Sequence, residues 1–149
     1  MKKRMAGRNA VFAACWFTYV VAYLCRVNFS SAMLKLSGEM QVSAAQLGAA
    51  GSAFFVVYAL GQLVNGYIGD KISPYRFVTI AICGTGVLNL AIAMVDEYLP
   101  LLVLWTLNGY FQSMLWGPLM RILSQWFEAR HTMRISVGMS MSMVVGYIT

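Results

Sequence analysis

Charge is missing from long stretches of this chain, and that absence constrains the fold more than any other feature. After Arg8 an uncharged run extends from Asn9 to Cys25, is broken by Arg26, and continues to about Leu34. Further runs cover Met40–Gly69 and Phe77–Val95, then Tyr98–Met120, which extends past Arg121 to Phe127, and finally Ile135–Thr149. Each of the first four is long enough to cross a bilayer, whose hydrocarbon core takes ~20 apolar residues as a helix. Lipid offers backbone N–H and C=O groups no partner, so such runs read as helices that satisfy their own backbone. The expected fold class is an all-α membrane protein with four complete transmembrane helices, about 10–34, 44–69, 77–95 and 98–127, plus a truncated fifth over 135–149. Composition agrees: 60% of the residues are hydrophobic, 11% are charged and the mean hydropathy is +0.67. Soluble domains carry about 25% charged residues, and disordered chains are poorer in apolar ones.

The charges that remain are sorted by loop. Lys2, Lys3, Arg4 and Arg8 precede the first run, Lys71 and Arg76 follow the second, and Arg130 and Arg134 follow the fourth. The loops on the other side hold only Lys35, so the asymmetry is eight to one. The positive-inside rule then places the N-terminus and the loops at 70–76 and 128–134 in the cytoplasm of a multi-pass cell-membrane protein. The formal charge of +6 is therefore a topology signal, and a nucleic-acid partner loses its support. The stretch before Cys15 is too short for a cleaved leader, so the first helix is expected to be retained. Cys15, Cys25 and Cys83 stand singly in apolar runs, which fits neither a disulfide framework nor a zinc site.

Arg26 is the most costly residue in the sequence. An arginine inside a membrane helix costs ~2.5–3.5 kcal/mol on insertion scales and usually faces a cavity or a partner. The alternative is snorkelling to the outer interface, about eight residues or ~12 Å away. Tyr19 and Tyr23 precede it by seven and three residues, so the three share one helical face. A guanidinium fork beside two phenol hydroxyls suits an anionic oxygen cluster such as a carboxylate or phosphate. Tyr58, Gln62 and Asn65 form a polar face in the second run, for which interhelical hydrogen bonding is the competing role, favoured for Asn65. Asn108 and Gln112, one turn apart in the fourth run, carry the same ambiguity. Gly109, Ser113 and Gly117 read as a small-residue stripe for close helix approach. Arg121 is expected to form a structural ion pair with Asp70 or Glu128. Asp96 and Glu97 suit a helix N-terminus, and His131 lies in a solvated loop. No nucleophile–base pair, phosphate loop or metal cluster is present, so neither enzyme chemistry nor a cofactor is expected.

The segment Gly66-Tyr67-Ile68-Gly69-Asp70-Lys71-Ile72-Ser73-Pro74-Tyr75-Arg76 resembles the signature of the major facilitator superfamily, with Gly66, Asp70, Lys71 and Arg76 in place and Ser73 where a second glycine is usual. Tyr19 to Phe29, with Arg26 inside it, is similar to the first helix of the organophosphate:phosphate antiporters, and Trp116-Gly117-Pro118, Arg121 and Trp126 to their fourth. That family includes the glycerol-phosphate and hexose-phosphate transporters. The resemblance implies the N-terminal bundle of such a transporter, working by alternating access around a midplane site. It implies that Tyr19, Tyr23, Arg26 and Tyr58, with Gln62 facing them, line the substrate cavity. Gly66, Asp70, Lys71, Arg76 and Arg121 would form the gating and structural motif. Two departures bear on the substrate: Gln62 stands where the phosphate transporters have lysine, and Ser142 where they have histidine. A monoanion would then suit Arg26 about as well as a phosphate dianion. The implied partners are the lipid bilayer, a small anionic substrate and a C-terminal half not present in this chain, which would make it a fragment. The alternatives are a hexose-phosphate-type sensor of the same fold and a small helical interaction subunit.

Overall fold

A computed structural model describes residues 2–39 and 41–148. It is helical throughout, with α1 (Lys2–Glu39), α2 (Ala44–Lys71), α3 (Pro74–Ile92), α4 (Tyr98–Ser113), α5 (Trp116–Trp126), a 3₁₀ turn (Ala129–His131) and α6 (Thr132–Ile148). Three helices are long and apolar enough to cross a membrane by themselves: Gly7–Val27 within α1, then α2 and α3. Large apolar side chains such as Phe17, Leu63, Val87 and Leu90 point outward along them, as lipid contact requires.

Beyond shifts of two or three residues at the ends of α2, α3 and α6, two of the expected helices differ in extent or continuity. α1 is one continuous helix of 38 residues, not the 25 or so between 10 and 34. At 1.5 Å per residue it is about 57 Å long, well beyond a ~30 Å hydrocarbon core. Charge ends a span, but lysine, arginine and glutamate are good helix formers, so the helix continues into water. The expected fourth helix is two helices, separated by a turn at Met114-Leu115. Pro118 is the cause. It has no N–H to offer the carbonyl of Met114, and its ring crowds that carbonyl. The chain tightens instead, with Met114 N–H donating to Phe111 O (3.1 Å) and Leu115 N–H to Gln112 O (3.3 Å). Helical bonding resumes with Leu119 N–H to Leu115 O.

Elsewhere the ends are set by local chemistry. Ser43 caps α2 in a capping box, its Oγ accepting from Gln46 N–H while Gln46 Oε1 accepts from Ser43 N–H (2.8 Å). Such a cap is worth ~1 kcal/mol. Pro74 opens α3 where no N–H is needed.

α4 lies against both α2 and α3, and α1 against α6 and α5. Glycine makes the closest approaches possible. A Cβ on Gly109 would sit 2.6 Å from the Phe54 carbonyl oxygen, so α4 meets the backbone of α2 there. Gly117 has nothing within 4 Å of its Cβ position and is exposed, so the stripe with Gly109 and Ser113 ends at Ser113. The break before Pro118 turns the next helix out of that register. Two apolar cores result. One gathers Tyr19, Tyr23, Phe77, Leu115, Leu119 and Met139 from α1, α3, α5 and α6 and the α4–α5 turn. The other gathers Phe29, Leu47, Phe54, Leu101 and Trp105 from α1, α2 and α4. Arg26 lies on α1 between Tyr23 of the first core and Phe29 of the second.

Candidate functional site

Arg26 sits in an aromatic cradle. Its guanidinium carbon lies 4.8 Å from the ring centre of Tyr23, 4.7 Å from Tyr58 and 5.3 Å from Phe54. Each ring presents its electron-rich face to the cation, an attraction worth ~0.5–2 kcal/mol. Nε donates to Oε1 of Gln112 at 2.9 Å. No carboxylate touches the guanidinium among the described residues; the ion pair there is Arg130–Glu128. A half-buried cation is thus held by π faces and one neutral amide, with no further hydrogen-bond partner among the described residues.

The cradle is built by helix geometry. Tyr23 reaches Arg26 because three residues is close to one helical turn. Phe54 and Tyr58, one turn apart on α2, stack their rings at 6.2 Å and present one wall. Phe54 stacks in turn on Trp105 (4.8 Å), and Trp105 on Phe29 (4.3 Å), so the wall is fixed from behind. Arg26, Gly51, Phe54, Trp105 and Tyr147 line a cavity of about 180 Å³ beside the guanidinium.

The other residues singled out in the sequence take up different places. Tyr19 is buried and reaches the cluster through Tyr23, with its ring between Tyr23 (5.2 Å) and Trp116 (5.1 Å). Gln62 is exposed and lines a separate cavity of about 200 Å³ with Asn65, Gly66, Ser113, Trp116 and Pro118. Its link to Arg26 is indirect: Nε2 donates to the Tyr58 hydroxyl at 2.9 Å, and the Tyr58 ring faces the guanidinium. Asn65 donates to Ser113 Oγ at 2.7 Å, joining α2 to α4 as interhelical glue. Ser142 is fully buried and its hydroxyl donates to Met139 O in its own helix, so it offers the site nothing.

Gln112 is the residue that sequence reasoning left unresolved. It is 2% exposed, and its Nε2 is buried without a hydrogen-bond partner, as are both side-chain polar atoms of Asn108 one turn earlier. Buried amides of this kind are costly unless water or a ligand completes them. The signal in the sequence was the i, i+4 pair itself, which places both amides on one face; which helix that face meets is tertiary information.

The basic end of the molecule departs from expectation. Arg121 does not pair with Asp70 or Glu128. Its Nη1 donates to the Gly69 carbonyl at 2.5 Å, with a longer contact to Ile72 O at 3.5 Å, so it closes the C-terminal end of α2. The last carbonyls of a helix carry partial negative charge and lack intrahelical donors, which makes them good partners for a cation. Glu128 pairs instead with Arg130 at 2.8 Å. Asp70 is exposed and makes no contact with Arg121, Arg76 is exposed, and Lys71 donates to the Tyr67 hydroxyl at 2.6 Å while lying 4.0 Å from its ring centre. Gly66 is exposed, with open space where a side chain would be.

Residues 15–149 match the family described as the Major Facilitator Superfamily. The chain is 33% identical to a probable hexose phosphate transport protein of Chlamydia trachomatis, over 81% of this chain and 26% of the relative. It is 25% identical to the membrane sensor protein UhpC of Escherichia coli, over 81% of this chain and 27% of the relative. To a probable sulfoacetate transporter, SauU, of Cupriavidus necator, it is 29% identical, over 85% of this chain and 29% of the relative. The chain spans about a quarter of the length of these relatives. No solved structure gives a significant match. The family match covers nearly all of the helical bundle, including the cradle around Arg26 and the motif from Gly66 to Arg76, so this chain belongs to the Major Facilitator Superfamily, a family of transporters and not of enzymes.

Proposed function

We propose that this chain is the first part of a secondary transporter that moves a small organic anion by alternating access, and that Arg26 holds the anionic group. The observation that carries the reading is the state of Arg26: a cation inside a membrane helix, cradled by aromatic faces and a neutral amide, with no acid to neutralise it among the described residues. An arginine kept for structure alone would be expected to meet a carboxylate or a helix end, as Arg121 does. On this reading α1, α2 and α3 each span the membrane, α4 and α5 span it together as one broken helix, and α6 is part of a fifth span. The basic asymmetry puts the N-terminus in the cytoplasm. The cavity beside Arg26 would be completed by the second half of the protein, which the geometry of two rocking bundles requires.

The substrate class is narrowed by the relatives, whose names speak of a hexose phosphate in one case and sulfoacetate in another. A phosphate ester and a sulfonate both offer three oxygens around a tetrahedral centre, which a guanidinium fork and phenol hydroxyls can bind. Tyr23 and Tyr58 flank the fork, Tyr19 backs Tyr23, and Gln62 orients the Tyr58 hydroxyl. Gly66, Asp70 and Lys71 at the end of α2 and Arg76 at the start of α3 flank the turn that changes partners as the halves rock, with Arg121 holding the end of α2. A second reading, a sensor that binds a hexose phosphate without accumulating it, is supported by the similarity to UhpC. Counterflow in proteoliposomes separates the two. The complete protein, loaded inside with unlabelled hexose phosphate or sulfoacetate, should accumulate the labelled anion from outside; saturable binding without accumulation would favour the sensor, and neither would refute the anion site.

A further inference from the structure

A second cationic cavity lies at the opposite end of α1 from Phe29. It is open, measures about 280 Å³, and is lined by Arg8, Asn9, Phe12, Phe127, His131, Arg134 and Ile135. No acidic side chain lines it, and Glu128, the nearest acid in sequence, is already engaged by Arg130 at 2.8 Å. The guanidinium carbon of Arg8 lies over the Phe127 ring, 4.7 Å from its centre, a cation–π contact that holds the side chain at the cavity. Arg8 Nε and His131 Nδ1 are buried and lack hydrogen-bond partners in the bundle. Arg134 stands in the first turn of α6, where the helix N-terminus adds partial positive charge.

We propose that this cavity binds the phosphate group of an anionic phospholipid headgroup. Two arginines and an imidazole converge there without a counter-ion, which is the chemistry of a phosphate site. The apolar part of the lining decides for lipid over a soluble anion. Phe12, Phe127 and Ile135 line the cavity beside the cations, so a charged group and an apolar wall stand together as a lipid headgroup and its glycerol region require. Basic pockets between helices at the cytoplasmic face are known sites for anionic headgroups. The assignment to the inner leaflet rests on the orientation proposed above, while the pocket and its chemistry do not.

Native mass spectrometry of the complete protein, released from nanodiscs of phosphatidylcholine and phosphatidylglycerol in equal parts, tests the proposal. The wild type should retain phosphatidylglycerol in preference. Arg8→Gln combined with Arg134→Gln should lower that preference roughly thirtyfold, since each surface cation contributes about a fivefold factor toward an anionic lipid. The single exposed variant Arg134→Gln should lower it roughly fivefold even if the double variant folds poorly. Arg76→Gln, which removes an exposed cation from the start of α3 and not from the cavity, should leave the retention unchanged. Equal retention by wild type and Arg134→Gln would overturn the site. Displacement of the retained lipid by millimolar inorganic phosphate would overturn the lipid assignment in favour of a soluble anion. Retention is read without any transport, so a failure of the transport reading would not be mistaken for a failure here.

Discussion

Arg26 and Arg121 are the same residue placed in two helices of one bundle, and they are solved in opposite ways. Arg121 spends its charge on the protein: backbone carbonyls at the end of α2 take its hydrogen bonds. Arg26 spends little of its own: one bond to Gln112 and three aromatic faces hold it, and no acid meets it among the described residues. A burial cost of several kcal/mol per unpaired ion makes the second arrangement wasteful unless something outside the bundle completes it. The identity of a charged residue thus says less about its role than the chemistry of what surrounds it. A helix end marks a fastening; an aromatic cradle with one amide is, on the proposed reading, where an anion is held.

The largest effect that would break this comparison is loss of charge at Arg26. Arg26→Gln in the complete protein should weaken anion binding by roughly a hundredfold or more, because an anion left facing a neutral amide loses a charged partner in a partly desolvated site. Its thermal stability should stay level or rise. Binding within a few fold of wild type would erase the distinction between the two arginines.

Arg121→Gln should do the reverse. Losing hydrogen bonds from a charged group costs ~1.5–3 kcal/mol, which should lower the unfolding temperature by several degrees while anion affinity stays within about threefold. A thermal melt in detergent, followed by anion titration of the same sample, reads both quantities. Large loss of affinity with unchanged melting would place Arg121 in the site.

Gln112→Leu removes the acceptor that fixes Arg26 Nε. The expected loss of affinity is about fivefold, the worth of one ordinary hydrogen bond, and it should vanish in an Arg26→Gln background. Additive losses in that double-mutant cycle would mean that Gln112 acts on something other than Arg26.

The smallest expected effect is at Gln62. It is exposed and reaches Arg26 only through Tyr58, so a new cation there is screened by solvent. Gln62→Lys should raise the preference for a phosphate dianion over a sulfonate monoanion by roughly two- to fivefold. An unchanged ratio in competitive binding would remove Gln62 from the selectivity of the site.

Much of this was legible in the sequence because membranes make charge expensive. The uncharged runs placed α2, α3 and the apolar part of α1, and the cost of an intramembrane arginine pointed to Arg26, with Tyr23 correctly on its face. Tyr58, from another helix, was reached only through the family resemblance. What was not legible had no charge to announce it. Backbone carbonyls do not appear in a sequence, so Arg121 was assigned an acidic partner when the real one was the end of α2. Pro118 was visible, but its effect falls four residues upstream, at Met114, inside a run that reads as one helix. Gln112 is an amide among several, and only the packing of α4 against α1 and α2 reveals which guanidinium it meets. Gln62 was placed facing Arg26 through the family resemblance, whereas its link to Arg26 runs through the Tyr58 hydroxyl.

The central claim is that the planar fork of Arg26, and not merely its charge, is what an anion binds. The direct measurement is calorimetric titration of the complete protein with a hexose phosphate and with sulfoacetate, comparing wild type with Arg26→Lys and with Arg121→Lys. Lysine keeps the charge but loses the bidentate geometry and the planar group that lies over Tyr23 and Tyr58. The account predicts that Arg26→Lys weakens binding of the preferred anion by roughly ten- to a hundredfold, while Arg121→Lys changes it by less than about threefold. Equal affinities in wild type and Arg26→Lys would contradict it, and would leave Arg26 a cation held in the bundle for reasons of packing alone.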